Sequence, residues 1–95
     1  MYIKGFFPIT VNDDKGDVIK LTYDEAVCDI ISADPLGEDI YATLCIYSDV
    51  TRETPVFNFT ATVSAAGVTD QNIAELKIFE EAINNVCHGF TYVKD

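Results

Sequence analysis

Apolar residues recur at two different periods along this chain, and the change of period marks its elements. Between Thr69 and His88, Ile73, Leu76, Phe79, Ile83 and Val86 return in steps of three and four. At about 100° per residue they share one face of an α-helix, with Cys87 beside them. Lys77, Glu81, Asn84 and His88 fall on the other side. Thr69 is placed to cap the first turn, Asp70 to meet the positive end of the helix dipole, and Gly89 to supply a left-handed C-terminal cap.

Elsewhere the period is two. Residues 2–11 read as an extended, aromatic segment with Pro8 confining it to a sheet edge or breaking it. Asn12 to Asp17 is a turn cluster, and Val18 to Leu21 returns as the second strand of a hairpin. Ile40 to Ser48 alternates, with Ile40, Ala42, Leu44 and Ile46 on one side and Tyr41, Thr43, Cys45 and Tyr47 on the other. Asp49 to Pro55 is a polar connection of hairpin length. From Val56 to Ser64, Phe57, Phe59, Ala61 and Val63 face one way, and Asn58, Thr60, Thr62 and Ser64 the other. A polar second face implies an antiparallel sheet with one wet side. Phe90 to Val93 is a candidate terminal strand.

Residues 22–33 carry a second helical pattern. Thr22 and Glu25 have the spacing of a capping box, and Tyr23, Ala26, Val27, Ile30 and Ile31 share one side of a helical wheel. The spacing therefore predicts a helix ending before Asp34-Pro35. The predicted fold is α+β: a two-layer sandwich of about four antiparallel strands with two helices on one face, in the order ββαββα, with a short C-terminal strand in addition. Residues 1–95 form one domain, small enough for its stability to be modest.

Composition changes this picture through charge. Sixteen acidic residues stand against six basic ones, a formal net charge of −10. That field repels nucleic acid and anionic lipid and attracts basic surfaces, so neither direct nucleic-acid binding nor membrane binding is expected. No apolar run reaches the length of a membrane span, and residues 1–8 lack a secretory core, which makes the cytoplasm the expected location. Cys28, Cys45 and Cys87 contain no CxxC pair and read as reduced core thiols.

Catalytic and metal-binding patterns are sparse. Cys87 and His88 are adjacent and would point about 100° apart on a helix, which is no thiol–imidazole pair. Three scattered cysteines and one histidine do not make a zinc site. Asp13, Asp14 and Asp17 lack the spacing of an EF-hand and read as an acidic turn. No cofactor is expected.

The acidic set is more informative. On the predicted first helix Glu25 and Asp29 would lie about 5–6 Å apart beside Asp24. Glu80 and Glu81 flank the second helix, and Glu38 and Asp39 occupy a loop. Carboxylates at such spacings imitate a nucleic-acid backbone and pair with Arg and Lys of a basic groove. Ile78, lying off the main stripe between Ala74 and Ala82, and Tyr41 and Tyr47 on the outer sheet face complete the predicted contact set. The resulting expectation is a non-catalytic, anti-CRISPR-like inhibitor of phage or mobile-element type that covers a protein's basic nucleic-acid-binding surface. The alternative is a structural or assembly subunit, for which a second copy of the chain is a candidate partner. A thiol enzyme using Cys87 or Cys28 is the third reading.

Overall fold

The computed structural model describes residues 1–94. Its elements are β1 (Tyr2–Asn12), β2 (Val18–Leu36), β3 (Asp39–Tyr47), β4 (Pro55–Ser64), α1 (Gln71–Asn85) and β5 (Thr91–Val93). The strands form one antiparallel sheet in the order β4-β3-β2-β1-β5. The first four run as a meander. Helix α1 then crosses one face and delivers β5 to the opposite edge, beside Tyr2–Lys4.

This order, ββββαβ, overturns the two-helix, four-strand prediction. The segment 22–33 is the middle of β2, which runs unbroken for 19 residues. Two irregularities in β2 explain why it resembled a helix. Asp24 and Glu25 together oppose Phe6, and Ile31 is an extra residue between the Ile30–Leu44 and Ser32–Thr43 pairs. Each bulge shifts the strand's alternation by one residue. The residues facing the helix are therefore Tyr23, Ala26, Cys28, Ile30 and Ala33, at intervals of three, two, two and three. A bulged strand thus counterfeits helical spacing, while β-branched and aromatic residues at Val18, Ile19, Thr22, Tyr23, Val27 and Ile30 favour the extended form.

Each end of β2 has a different neighbour. β1 pairs with Val18–Cys28, and β3 with Val27–Leu36. The sheet is consequently sheared, and the molecule measures 48 × 28 × 22 Å. Beyond Tyr23 the β1–β2 hairpin projects as a two-stranded arm. At its tip the Asp13 carboxylate accepts from the backbone N–H of Lys15 and of Asp17, both at 2.9 Å, and Gly16 takes φ +82°. β1 continues through Pro8, which lies beyond the Tyr2–Lys4 stretch paired with β5, so no strand on its outer side needs that donor.

The core lies between the sheet and α1. Ile3, Cys28 and Ile46 form one row across the strands, and Leu44 and Ala42 follow along β3. The helix covers them with Ile78, Phe79 and Ala82. A fully buried Ile, Leu or Phe contributes roughly 1.5–3 kcal/mol. α1 is turned about a quarter of a revolution from its predicted orientation. Ile78 is fully buried, whereas Leu76 is 45% exposed. Small Ala74 and Ala82 let the helix backbone approach the sheet, and among the described residues no second helix covers Leu76. Asp70, rather than Thr69, is the N-cap, its carboxylate accepting from Ile73 N at 2.9 Å. Gly89 has φ +84°, but in the turn between Cys87 and Phe90, beyond the end of the helix.

The opposite face is partly covered. The β3–β4 loop folds back so that Arg52 Nε meets Asp29 Oδ2 at 2.9 Å and its guanidinium stacks 4.8 Å from the Tyr2 ring centre. Val27 and Cys45 are buried on this face, outside the main cluster.

Candidate interaction surfaces

The acidic residues take places set by β2 and α1. Asp24 and Glu25 sit exposed in the first bulge, and Lys4 Nζ lies 3.9 Å from Glu25 Oε1. Asp29 faces the same side as Glu25, but four residues of strand separate them by about 13 Å rather than one helical turn. Its carboxylate is already committed to Arg52 and to Ile30 N. The predicted Glu25/Asp29 pair therefore does not exist, because the helix that would have created it does not form.

A second group gathers at one end of the molecule. Glu38 lies in the β2–β3 turn, and Asp39 starts β3 opposite Leu36 and Ser64. Tyr41 is 40% exposed between Asp34 and Thr62. Ala65 N donates to Glu38 O at 3.0 Å, which ties the end of β4 to this turn. Tyr47 is different: it closes β3 opposite Val27 under the Arg52 loop and is half-buried. Burial first, then the neighbouring Cys45 thiol, pushes its phenol above the ordinary tyrosine range. Ile78 is removed from the contact set because it belongs to the core.

Glu80 and Glu81 form the third group, on the flank of α1 above β4. Asn85 Nδ2 donates to Glu81 Oε1 at 2.8 Å and holds that side chain along the helix. Between helix and strand runs a trough of two adjoining hollows of about 240 and 290 Å³. Its strand side includes Thr60 and Thr62, which point away from the helix, as well as Phe59 and Ala61, which point towards it. The trough therefore follows the outer backbone edge of β4. A third hollow of about 400 Å³, lined chiefly by Ile30, Ile31, Pro35, Ile40, Ala74 and Ile78, lies beside the far end of β2.

Sequence reasoning missed two surfaces. One is the trough; its signal was the uncharged run from Val56 to Ser64, which needed only to be recognised as a sheet edge. The other is the projecting arm, whose Ile9, Val11, Ile19 and Leu21 share a face with Phe7 and Tyr23. Val11, Ile19 and Leu21 are exposed there. The order of strands could not be read from local pattern, so neither surface was placed.

Cys28, Cys45 and Cys87 are buried. The adjoining Cys87 thiol, then burial, pushes Cys28 far above the ordinary cysteine range, opposite to the shift that makes a reactive thiolate. His88 is exposed just beyond the helix. Among the described residues no group of three His, Cys, Asp or Glu could hold a metal ion, and no helix is long and apolar enough to cross a membrane. Comparison with protein-family models, curated proteins and solved structures finds no significant match to this chain.

Proposed function

We propose that this chain is a small non-catalytic inhibitor that occupies the basic, phosphate-binding surface of a nucleic-acid-handling protein, in the manner of phage or mobile-element proteins that block host defence. The observation that carries this reading is a formal net charge of −10 on a folded scaffold with no charged side chain buried among the described residues. Carboxylates on strands and a helix hold fixed spacings, and a groove of Lys and Arg built for phosphates would bind them through charge-assisted hydrogen bonds. Glu38, Asp39 and Asp34 around Tyr41 supply one contact region, and Glu80 and Glu81 another. Asp29 is not part of the surface, since Arg52 neutralises it.

Competition tests the proposal. A partner captured on the immobilised protein should be released by duplex DNA or by RNA, and its affinity should fall steeply between 50 and 500 mM salt. A partner that holds nucleic acid and this protein together, with an affinity indifferent to salt, would refute it.

The arm favours a second reading, an assembly subunit. A two-stranded ribbon with an apolar face is marginal alone and gains from being covered. Sedimentation at micromolar concentration separates the two: this reading requires an assembly that dissociates when Ile19 and Leu21 are replaced by threonine.

A further inference from the structure

We infer that the outer edge of β4, with the flank of α1 as a wall, receives an extended basic segment of a partner protein as a sixth strand on the five-stranded sheet. The inference rests on the basic-partner reading above and adds how such a partner is held.

β4 is the last strand of the sheet, and its outer side has no neighbouring strand. Its backbone donors and acceptors on that side form a template for another chain. Proteins ordinarily blunt such an edge with charges, proline or bulges. From Phe57 to Ser64 this strand carries none of them: it contains no charged residue and no proline, and its register with β3 is unbroken. Both ends are closed: Pro55 and the extra residue Val56 blunt the first, which leaves Phe57 to Val63 as the open stretch. Lys77 Nζ donates to Ser64 O at 3.1 Å and to Ala66 O at 2.7 Å, which caps the carbonyls where the strand leaves the sheet.

The trough gives this edge a second wall. An open strand edge beside a helix is a geometry that takes extended peptides by strand addition, where main-chain hydrogen bonds supply affinity and alternate side chains supply selectivity. Here the two walls differ in chemistry. The strand presents uncharged residues, Phe59, Ala61 and Val63 on the helix side and Thr60 and Thr62 on the outer side; the helix presents Glu80, Glu81 and Asn84, with Lys77 at the Ser64 end engaged by backbone carbonyls. In an added strand every second side chain would point to the helix side and meet carboxylates. Lysine or arginine at alternate positions is the matching pattern.

The same charges disfavour a second copy of this chain. Two β4 edges paired about a two-fold axis would bring the Glu80 and Glu81 flanks of both helices over one seam, and facing like charges oppose association.

The test uses the whole ¹⁵N-labelled chain and three synthetic nonapeptides: alternating lysine and threonine, the same peptide N-methylated on alternate backbone nitrogens, and a glutamate–threonine counterpart. The lysine peptide should perturb and protect β4 amides on the outer edge. N-methylation, which removes main-chain donors while keeping every charge, should weaken binding by about tenfold or more. E80Q/E81Q should weaken the lysine peptide by about fivefold and flatten its salt dependence without changing the fold, since Glu80 is exposed and Glu81 half-buried. Equal binding of the N-methylated peptide would overturn strand addition while leaving the basic-partner reading standing. No affinity for the lysine peptide, or equal affinity for the glutamate peptide, would overturn the inference outright. A dimer that forms through β4 and excludes the peptide would overturn it in favour of a second copy. The reading on which it rests fails separately, if nucleic acid does not compete with the captured partner.

Discussion

At the scale of single residues, the sharpest consequence concerns Ile78. The wheel drawn from sequence leaves it outside, and the sheet takes it into the core at 0% exposure. Ile78→Ala should therefore cost about 2–5 kcal/mol, as cavity-forming core truncations do, while Leu76→Ala should cost under about 1 kcal/mol. Urea unfolding of the two variants checks the order; a reversal would mean that α1 faces the other way. Gly5 is a second such site. A Cβ there would lie 2.8 Å from Phe90 Cδ1 and 3.0 Å from Phe90 Cα, and backbone cannot yield as a side chain does. Gly5→Ala should destabilise by about 1–3 kcal/mol through overpacking, read as a fall in thermal midpoint. Phe90 immediately precedes β5, so this close approach also sets where the last strand meets β1.

At the scale of elements, the β3–β4 loop shows how one charge organises a face. Arg52 has φ +58°, an uncommon conformation for a residue with a side chain, and its guanidinium joins Asp29 to the Tyr2 ring. The pair is about one-third exposed on each side. Solvent screening keeps its worth modest, so Arg52→Ala should cost about 1 kcal/mol. The more specific sign is faster hydrogen exchange at Val27 and Cys45, which are buried on the face where Arg52 meets Asp29. Unchanged exchange would show that the strands alone protect those amides. β2 is the complementary case. Its two bulges let a single strand serve one hairpin at its first half and another at its second, and the same bulges disguised it as a helix. Local spacing could not separate these forms, because a period of two interrupted by single extra residues passes through intervals of three.

At the scale of the whole molecule, charge and buried thiols both bear on pH. Cys28 keeps its proton in the folded state, because the Cys87 thiol and burial hold its pKa well above the ordinary cysteine range. Once unfolded, it ionises above about pH 8.5. Above that point the unfolded chain binds fewer protons than the folded one, so stability falls as pH rises. Tyr47 and Tyr92 are displaced in the same direction, chiefly by burial, and extend the loss past pH 10. The denaturation midpoint should therefore hold from pH 7 to about pH 8.5 and decline by pH 10. Cys28→Ala should lose stability at pH 7 but show a shallower alkaline decline. A slope identical to that of the unaltered protein would mean that Cys28 is not the group responsible.

The sequence by itself determined the local and additive properties. The presence of a helix between Thr69 and His88, the acidic hairpin turn at Asp13–Asp17, the alternating strands β3 and β4 and the apolar face of each, and the −10 charge all follow from spacing, turn chemistry and composition. Only the tertiary structure decided that residues 22–33 are strand, that α1 buries Ile78 instead of Leu76, and that β4 is an edge while β5 closes the far side. The reason is physical. Spacing reports which side chains could share a face, but bulge positions, helix rotation and strand order are settled by which faces find a partner, and those partners lie far away along the chain. The contact residues divide in the same way: Glu80 and Glu81 were legible as neighbours on one helix, while the separation of Glu25 from Asp29 and the trough beside β4 exist only once the sheet has closed.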